Sequence, residues 1–150
     1  MFRFIRIGNT NLVCYNNGTI LRFGKQTKKW KVCKGYKNGE GYLHIKIDAK
    51  QLSIHRVLAH AFDILNIRSE FKIDHIDRNR INNCIENLRP VTNQQNQFNT
   101  NAKGYCWNKL DKKWIASIRI DGTLIYLGRF DKEEEARQAY LDAKQIYHKF

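Results

Sequence analysis

No stretch of this 150-residue chain approaches the ~18 consecutive apolar residues that a membrane-spanning helix needs, so no membrane partner is expected. The opening residues, Met1-Phe2-Arg3-Phe4-Ile5, lack the long apolar run and small-residue cleavage site of a secretory signal. The expectation is an intracellular protein of cytoplasm, nucleus or viral host cell that is not secreted. On that reading the Asn17-Gly18-Thr19 glycosylation sequon is a chance match. Cysteines are few and scattered. Cys14, Cys33, Cys84 and Cys106 form no C-x-x-C pair, which argues against a zinc ribbon and against a disulfide framework. In a reducing compartment they read as small buried hydrophobes. Acidic residues are the other shortage, with 14 Asp+Glu against 27 Lys+Arg and a net charge of +13. Lys and Arg displace the counterions condensed on phosphate backbones, and here aromatic residues are interleaved with the charge, so a nucleic-acid partner is expected.

The charge is unevenly spread. Residues 1–50 carry 11 Lys+Arg and 2 Asp+Glu, residues 51–100 carry 6 and 5, and residues 101–150 carry 10 and 7. The middle third is therefore nearly neutral, and the flanks look like arms that grip. The apolar share of 42% is enough to support a core.

Three Asx-Gly dipeptides, Asn17-Gly18, Asn38-Gly39 and Asp121-Gly122, suit tight hairpin turns because both residues tolerate positive φ. Strands are expected around the first, at Leu12–Tyr15 and Ile20–Phe23. Past the second, Leu43, Ile45 and Ile47 alternate with polar residues on one strand face. A Lys-rich stretch from Lys25 to Lys37 lies between, and its Lys28, Lys29 and Lys31 are candidate DNA contacts. Ser53 is a plausible N-cap for a helix whose apolar stripe is Ile54, Val57, Leu58, Ala61 and Phe62. His55 on this helix is read as a packing residue, and Arg56 beside it as a further candidate DNA contact.

From Phe71 to Asn101 the chain changes character. Asn79, Asn82, Asn83, Asn87, Asn93, Asn96, Asn99 and Asn101 stand among few apolar residues, poor core material because each buried amide needs several partners. Phe71–Ile76 reads as a short strand, followed by a polar loop at Asp77–Asn83, a second strand near Asn87–Val91 and a helix capped by Thr92, with Asn96 one turn in. This order resembles the HNH (His-Me finger, ββα-metal) nucleases of the phage homing branch. The residues that carry the resemblance are Ile54-His55-Arg56-Val57-Leu58-Ala59, Asp74-His75-Ile76-Asp77, Asn82-Asn83, Asn87-Leu88-Arg89 and Asn96. The last position is Asn where many members have His. Phosphodiester hydrolysis needs a base and a Lewis acid. A neutral His titrates near working pH, so His75 suits the base, with the Asn87 carbonyl setting its tautomer. Asp74 and Asn96 offer hard oxygen ligands for Mg²⁺, or another hard divalent cation such as Mn²⁺, rather than zinc. The resemblance implies the same roles and 5′-phosphate and 3′-hydroxyl products.

The last third resembles the plant Apetala-two/ethylene-response-factor DNA-binding domain, three strands and a helix. The carriers are Lys103-Gly104-Tyr105-Cys106-Trp107, Lys113–Arg119, the Asp121-Gly122 turn, Tyr126–Phe130, and a helix after Asp131 as N-cap with Ala136, Ala139, Tyr140, Ala143 and Tyr147 as its stripe. Trp114, Ala116, Ile118 and Ile120 are expected on the helix side. Ile115, Ser117 and Arg119 are expected on the other, near Lys103, Trp107 and Tyr126. The resemblance makes Lys103, Arg119 and Tyr126 DNA contacts, with Trp107 close by, while Cys106 and Ser117 replace the family's usual Arg and Glu.

The expectation is an α+β protein in three parts: an N-terminal basic β module (1–50), a central ββα nuclease (51–101) and a C-terminal sheet-plus-helix reader (102–150). Its activity is metal-dependent endonuclease cleavage of double-stranded DNA by a monomer without organic cofactor, from a viral or mobile gene. The alternatives are a catalytically inactive nucleic-acid-binding or structural protein that keeps the nuclease fold as scaffold, and a transcription-factor-like binder built on residues 103–148.

Overall fold

A computed structural model describes residues 1–67, 69–100 and 102–149. Asn101, the last amide of the central run, lies outside the described residues. The chain forms two compact units, Met1–Asn96 and Gln97–Phe150. The architecture is mixed α+β, with several small antiparallel sheets and three helices among the described residues.

The first unit opens with a four-stranded antiparallel sheet, β1 (Phe2–Ile7), β2 (Thr10–Tyr15), β3 (Ile20–Gly24) and β4 (Lys29–Val32), in sequential order. The Asn17-Gly18 turn joins β2 to β3, with Gly18 at φ +92°. The Lys-rich stretch, expected only as a connection, supplies β4 and the short β5 (Tyr36–Lys37). Trp30 and Val32 alternate with lysines there and give it strand character. β5 pairs with β6 (Leu43–Ile47), and β6 with β7 (Lys50–Ser53). The turn near Asn38-Gly39 is wider than a two-residue hairpin. The Asn38 side-chain oxygen accepts the N–H groups of Glu40 and Tyr42, and Gly41 takes the positive φ of +87°. Between β6 and β7 the positive-φ pair is Asp48-Ala49, which has no glycine to announce it. Asp48 accepts from Asn9 N–H and Thr10 Oγ1, and these bonds hold its carboxyl below the usual range.

α1 (Ile54–Ala61) follows β7 directly. Ser53 occupies the N-cap position, but its hydroxyl meets His44 Nε2 at 3.3 Å instead of capping the helix. The expected stripe is buried except for Phe62, which is half-buried at the C-cap. Val57 and Leu58 are fully enclosed, beside Leu12, Cys14 and Ile20 of the first sheet, Ile45 and Ile47 of the second, and Ile73 and Leu88 of the strands that follow. Residues 1–50 and the region after them thus share one core, and α1 sits at its centre. Two-stranded pairing of β8 (Lys72–His75) with β9 (Leu88–Val91) completes the unit, followed by α2 (Asn93–Phe98). Thr92 caps α2 as expected, its Oγ1 accepting Gln95 N–H while the Gln95 side chain accepts Thr92 N–H, a reciprocal capping box.

In the second unit, β10 (Tyr105–Asn108), β11 (Lys113–Ile120) and β12 (Thr123–Phe130) form an antiparallel sheet packed on α3 (Glu133–Tyr147). Asp121-Gly122 makes the expected tight turn, with φ +48° and +79°. Ala116 and Ile118 are buried on the helix side with Tyr140 and Ala143. The helix starts after Lys132 rather than at Asp131, whose carboxylate pairs with Lys113 instead. Tyr147, in the last turn, is 45% exposed and leaves the stripe. The four cysteines are free thiols. Cys14 is buried, and desolvation pushes its pKa up to about 12, whereas Cys106 is exposed, contrary to expectation.

Candidate active site

β8 delivers Ile73, Asp74 and His75 as three consecutive buried residues. Ile73 enters the core, which anchors the strand. Asp74 pairs in register with Arg89 on β9, and its Oδ2 accepts from Nε at 3.0 Å and Nη2 at 2.8 Å. The guanidinium therefore orients a carboxylate that is only 8% exposed. His75 is 3% exposed, and its Nε2 lies 3.2 Å from Asn83 Oδ1. Asn83 is itself buried, and its amide Nδ2 donates to Ile81 O at 3.2 Å, which turns the oxygen toward the imidazole. With an acceptor on Nε2, the neutral ring carries its proton there and its basic lone pair on Nδ1.

The tautomer-setting role expected of Asn87 thus falls to Asn83. Asn87 is engaged elsewhere: its Oδ1 accepts Asp77 N–H at 2.9 Å, and its Nδ2 donates to Asp77 Oδ1 and to Asn82 O. Asp77 also accepts from Asn82 Nδ2 and Asn79 N–H, bonds that hold its carboxyl below the usual range, the Asn82 amide contributing most. The amide density of residues 77–87 is therefore a hydrogen-bonded loop that stands in for an apolar core. It holds Asn83 against His75.

The other walls of the His75 site come from Tyr42, for which the sequence suggested no role, and from His55, expected only as a packing residue on α1. Tyr42 on the approach to β6 lies 5.8 Å from the His75 ring centroid, and His55 on α1 lies edge-on at 5.3 Å. Tyr42 and His55 also touch each other at 5.1 Å, and the Arg80 guanidinium sits 4.8 Å over the Tyr42 ring while donating to Glu40 O. His55 is 8% exposed and its Nδ1 is buried without a partner. Burial first, and then the charges of His75, Arg56 and His44, push its pKa down to about 3, so it stays neutral. The signal for Tyr42 and His55 was three-dimensional: nothing in their spacing ties them to a histidine twenty or more residues away.

A cleft of about 510 Å³ opens beside this cluster, lined among others by His44, His55, Lys72, Arg80 and Asn96. Asn96 therefore reaches the same cleft as Lys72 and Ile73, the two residues ahead of Asp74. Among the described residues no three His, Cys, Asp or Glu side chains group closely enough to hold a metal by themselves.

Of the expected DNA contacts, Arg56 is diverted. Its guanidinium donates to the carbonyls of Phe71, Ile67 and Ser69, closing the segment that leads into β8. Lys28 sits in the turn between β3 and β4 at φ +52°, and Lys29 and Lys31 are exposed on β4, on the face opposite Trp30. Lys103 is exposed ahead of β10. Arg119 and Tyr126 share the helix-free face of the second unit's sheet, where Ser117 pairs with Tyr126 and Arg119 with Leu124. Trp107 does not join them. It pairs with Trp114, and directly opposed residues point the same way, so it lies on the helix side, 5.3 Å from Trp114 in edge contact. Cys106, its neighbour, takes the outward place.

A family model described as HNH endonuclease matches residues 66–98. An uncharacterized HNH endonuclease of Acanthamoeba polyphaga mimivirus is 32% identical over 146 residues, covering 88% of this chain and 77% of its own length. The H-N-H endonuclease F-TflII of Escherichia phage T5 is 33% identical over 82 residues, covering 51% of this chain and 42% of its own length. Among solved structures, the HNH homing endonuclease I-HmuI superposes with a TM-score of 0.46 at 23% identity, over 92% of this chain and 87% of that one.

Proposed function

The chain belongs to the HNH endonucleases, and from that premise we propose that it hydrolyses phosphodiester bonds of double-stranded DNA with His75 as general base. The observation that carries this is the buried His75–Asn83 hydrogen bond, which supports a ring protonated on Nε2 with Nδ1 as the basic nitrogen toward water. Asn83, Tyr42 and His55 hold the ring from one nitrogen and from its sides, so its orientation is set before substrate arrives.

HNH nucleases generally use a divalent metal ion. The donors here suit a hard cation: the Asp74 carboxylate, oriented by Arg89, and the side-chain oxygen of Asn96 on the neighbouring cleft would hold it through oxygen. Mg²⁺ or Mn²⁺ fits that chemistry. When bound, the ion supplies Lewis acidity to the phosphate and to the departing 3′ oxygen. Lys72 and Arg80 on the cleft wall offer positive charge to the DNA backbone. The expected products carry 5′-phosphate and 3′-hydroxyl ends.

We further assign the second unit as the reader, an Apetala-two-like sheet presenting Lys103, Arg119 and Tyr126 to the DNA, with Lys28, Lys29 and Lys31 adding backbone contacts from the first unit. Viral relatives agree with an origin in a viral or mobile gene, and a homing-type enzyme is part of the same proposal.

The test is cleavage of a supercoiled plasmid library of random sequence, with Mg²⁺ or Mn²⁺ and with chelator, by the wild type and by His75→Ala. Metal-dependent nicking that His75→Ala abolishes is expected. Tight DNA binding without metal-dependent cleavage of any library member would establish the inactive scaffold instead.

A further inference from the structure

The sheet β1–β4 has two unlike faces. Pairing places Arg3 with Cys14 and Ile5 with Leu12 on one side, and Phe2 with Tyr15 and Phe4 with Val13 on the other. The second set continues through Leu21 to Val32 and through Phe23 to Trp30. The first side holds Leu12, Cys14 and Ile20 in the core. On the second, Phe4 is 68% exposed, Val32 61%, Phe2 50% and Trp30 41%, a contiguous apolar surface of the kind that marks an interaction site.

The rings on this face form a connected series. Centroid separations are 5.8 Å for Tyr15–Phe2, 5.4 Å for Phe2–Phe4, 6.2 Å for Phe4–Trp30 and 5.3 Å for Trp30–Phe23. Phe4 and Trp30 belong to opposite edge strands, which in a flat sheet stand three spacings or ~14 Å apart. Their rings nonetheless lie 6.2 Å apart, on a face where Val13 is only 5% exposed. The result is a platform of π faces that neighbouring rings hold in place and that stays open to solvent.

Charge selects what lies on it. Residues 1–32 contain seven Lys+Arg and no Asp or Glu. A second copy of the same face would set seven cations against seven, whereas a polyanion is attracted. Cations are interspersed with the apolar residues along both edges, Phe2-Arg3-Phe4-Ile5-Arg6 on β1 and Lys29-Trp30-Lys31-Val32 on β4. Of these, Arg3, Lys29 and Lys31 are rooted on the opposite face of their strands. Long Lys and Arg side chains reach round an edge strand to phosphates lying beside it. Aromatic faces engage bases only when those bases are unpaired, because a duplex keeps them stacked on each other.

We propose that this face is a docking surface for single-stranded DNA, with unpaired bases stacked on Phe2, Phe4 and Trp30 and phosphates drawn along the two cationic edges. The choice of DNA over RNA rests on the endonuclease reading above, where a nick frees a strand end to unpair; the stacking itself does not. Sequence tolerance is expected, since every base has a π face.

The test is fluorescence anisotropy with the full chain in EDTA, so that cleavage does not enter, at roughly 0.3 M salt to weaken purely ionic binding. The probes are labelled oligomers of about 12 nucleotides: oligo-dT, an abasic deoxyribose-phosphate strand, oligo-rU and a duplex of the same length. Oligo-dT should bind at least about tenfold tighter than the abasic strand and the duplex, and Phe4→Leu and Trp30→Leu should each weaken it about fivefold to a hundredfold. Phe4→Leu keeps apolar bulk at an exposed position, so it leaves folding intact while removing the π face. Equal affinity for oligo-dT and the abasic strand, or indifference to both substitutions, overturns the proposal. So does tighter binding of oligo-rU, which makes the ligand RNA, or self-association in sedimentation that Phe4→Leu abolishes, which makes it a second copy. Loss of plasmid cleavage with this binding intact counts only against the endonuclease reading.

Discussion

Replacing His55 with Phe should raise the stability of the first unit and flatten its pH dependence. The folded imidazole is held neutral down to about pH 3, whereas a free histidine protonates near 6.5. Below 6.5 the unfolded chain therefore takes up a proton that the folded chain refuses. Stability falls as pH falls, at up to about 1.4 kcal/mol per unit, until the folded value near 3 is reached. Between pH 7.5 and 5 only the last ~1.5 units count, so this one residue should cost about 2 kcal/mol over that interval. Phe keeps the ring contacts with Tyr42 and His75. It also removes the buried Nδ1 that has no hydrogen-bond partner, a defect costing about 1–3 kcal/mol at any pH. The assay is urea denaturation followed by peptide-resolved hydrogen exchange over α1, which reports the unfolding of the first unit separately from the second. Wild type should lose about 2 kcal/mol more than His55→Phe on going from pH 7.5 to 5. Parallel pH dependences in the two proteins would refute the buried neutral state of His55.

Three further outcomes follow from other contacts. Asn83→Ala leaves the His75 Nε2 proton without its buried acceptor and should lower the cleavage rate about tenfold to a hundredfold, with DNA affinity unchanged in a gel-shift assay; a wild-type rate would remove Asn83 from the mechanism. Arg56→Ala deletes three hydrogen bonds to the carbonyls of residues 67, 69 and 71, so it should destabilise the first unit by about 1–3 kcal/mol in urea without weakening DNA binding, whereas loss of affinity in a folded variant would restore Arg56 as a DNA contact. Gly104→Ala places a methyl group 2.0 Å from the Tyr140 ring at a residue with φ +71°; thermal melting of the second unit should shift down by the equivalent of about 2–4 kcal/mol, and an unchanged melt would contradict the packing of the β10 approach on α3.

Much of the local structure was legible because it depends on short-range periodicity and caps. The α1 stripe, the Thr92 cap and the Asp121-Gly122 turn all follow from neighbours within a few residues, and all appear where expected. The misreadings share a cause with a turn that the sequence did not announce. Asp48-Ala49 turns without a glycine because Asn9 and Thr10, some forty residues away, hold the aspartate. Asp131 leaves its cap for Lys113, and Trp107 turns to the helix side because register with Trp114 decides its direction.

For the candidate site, the sequence by itself determined the order of the groups: Asp74 and His75 on a strand, a run of amides that includes Asn83 and Asn87, and Asn96 on a capped helix, all within one unit. Which amide serves His75 was decided only by tertiary structure. Asn83 and Asn87 are the same residue type four positions apart, and the choice turns on which of them Asp77 captures for the loop. Burial likewise made Arg56 a structural brace and His55 a neutral neighbour of His75, because an amide, guanidinium or imidazole takes its role from the partners the fold places within hydrogen-bond reach.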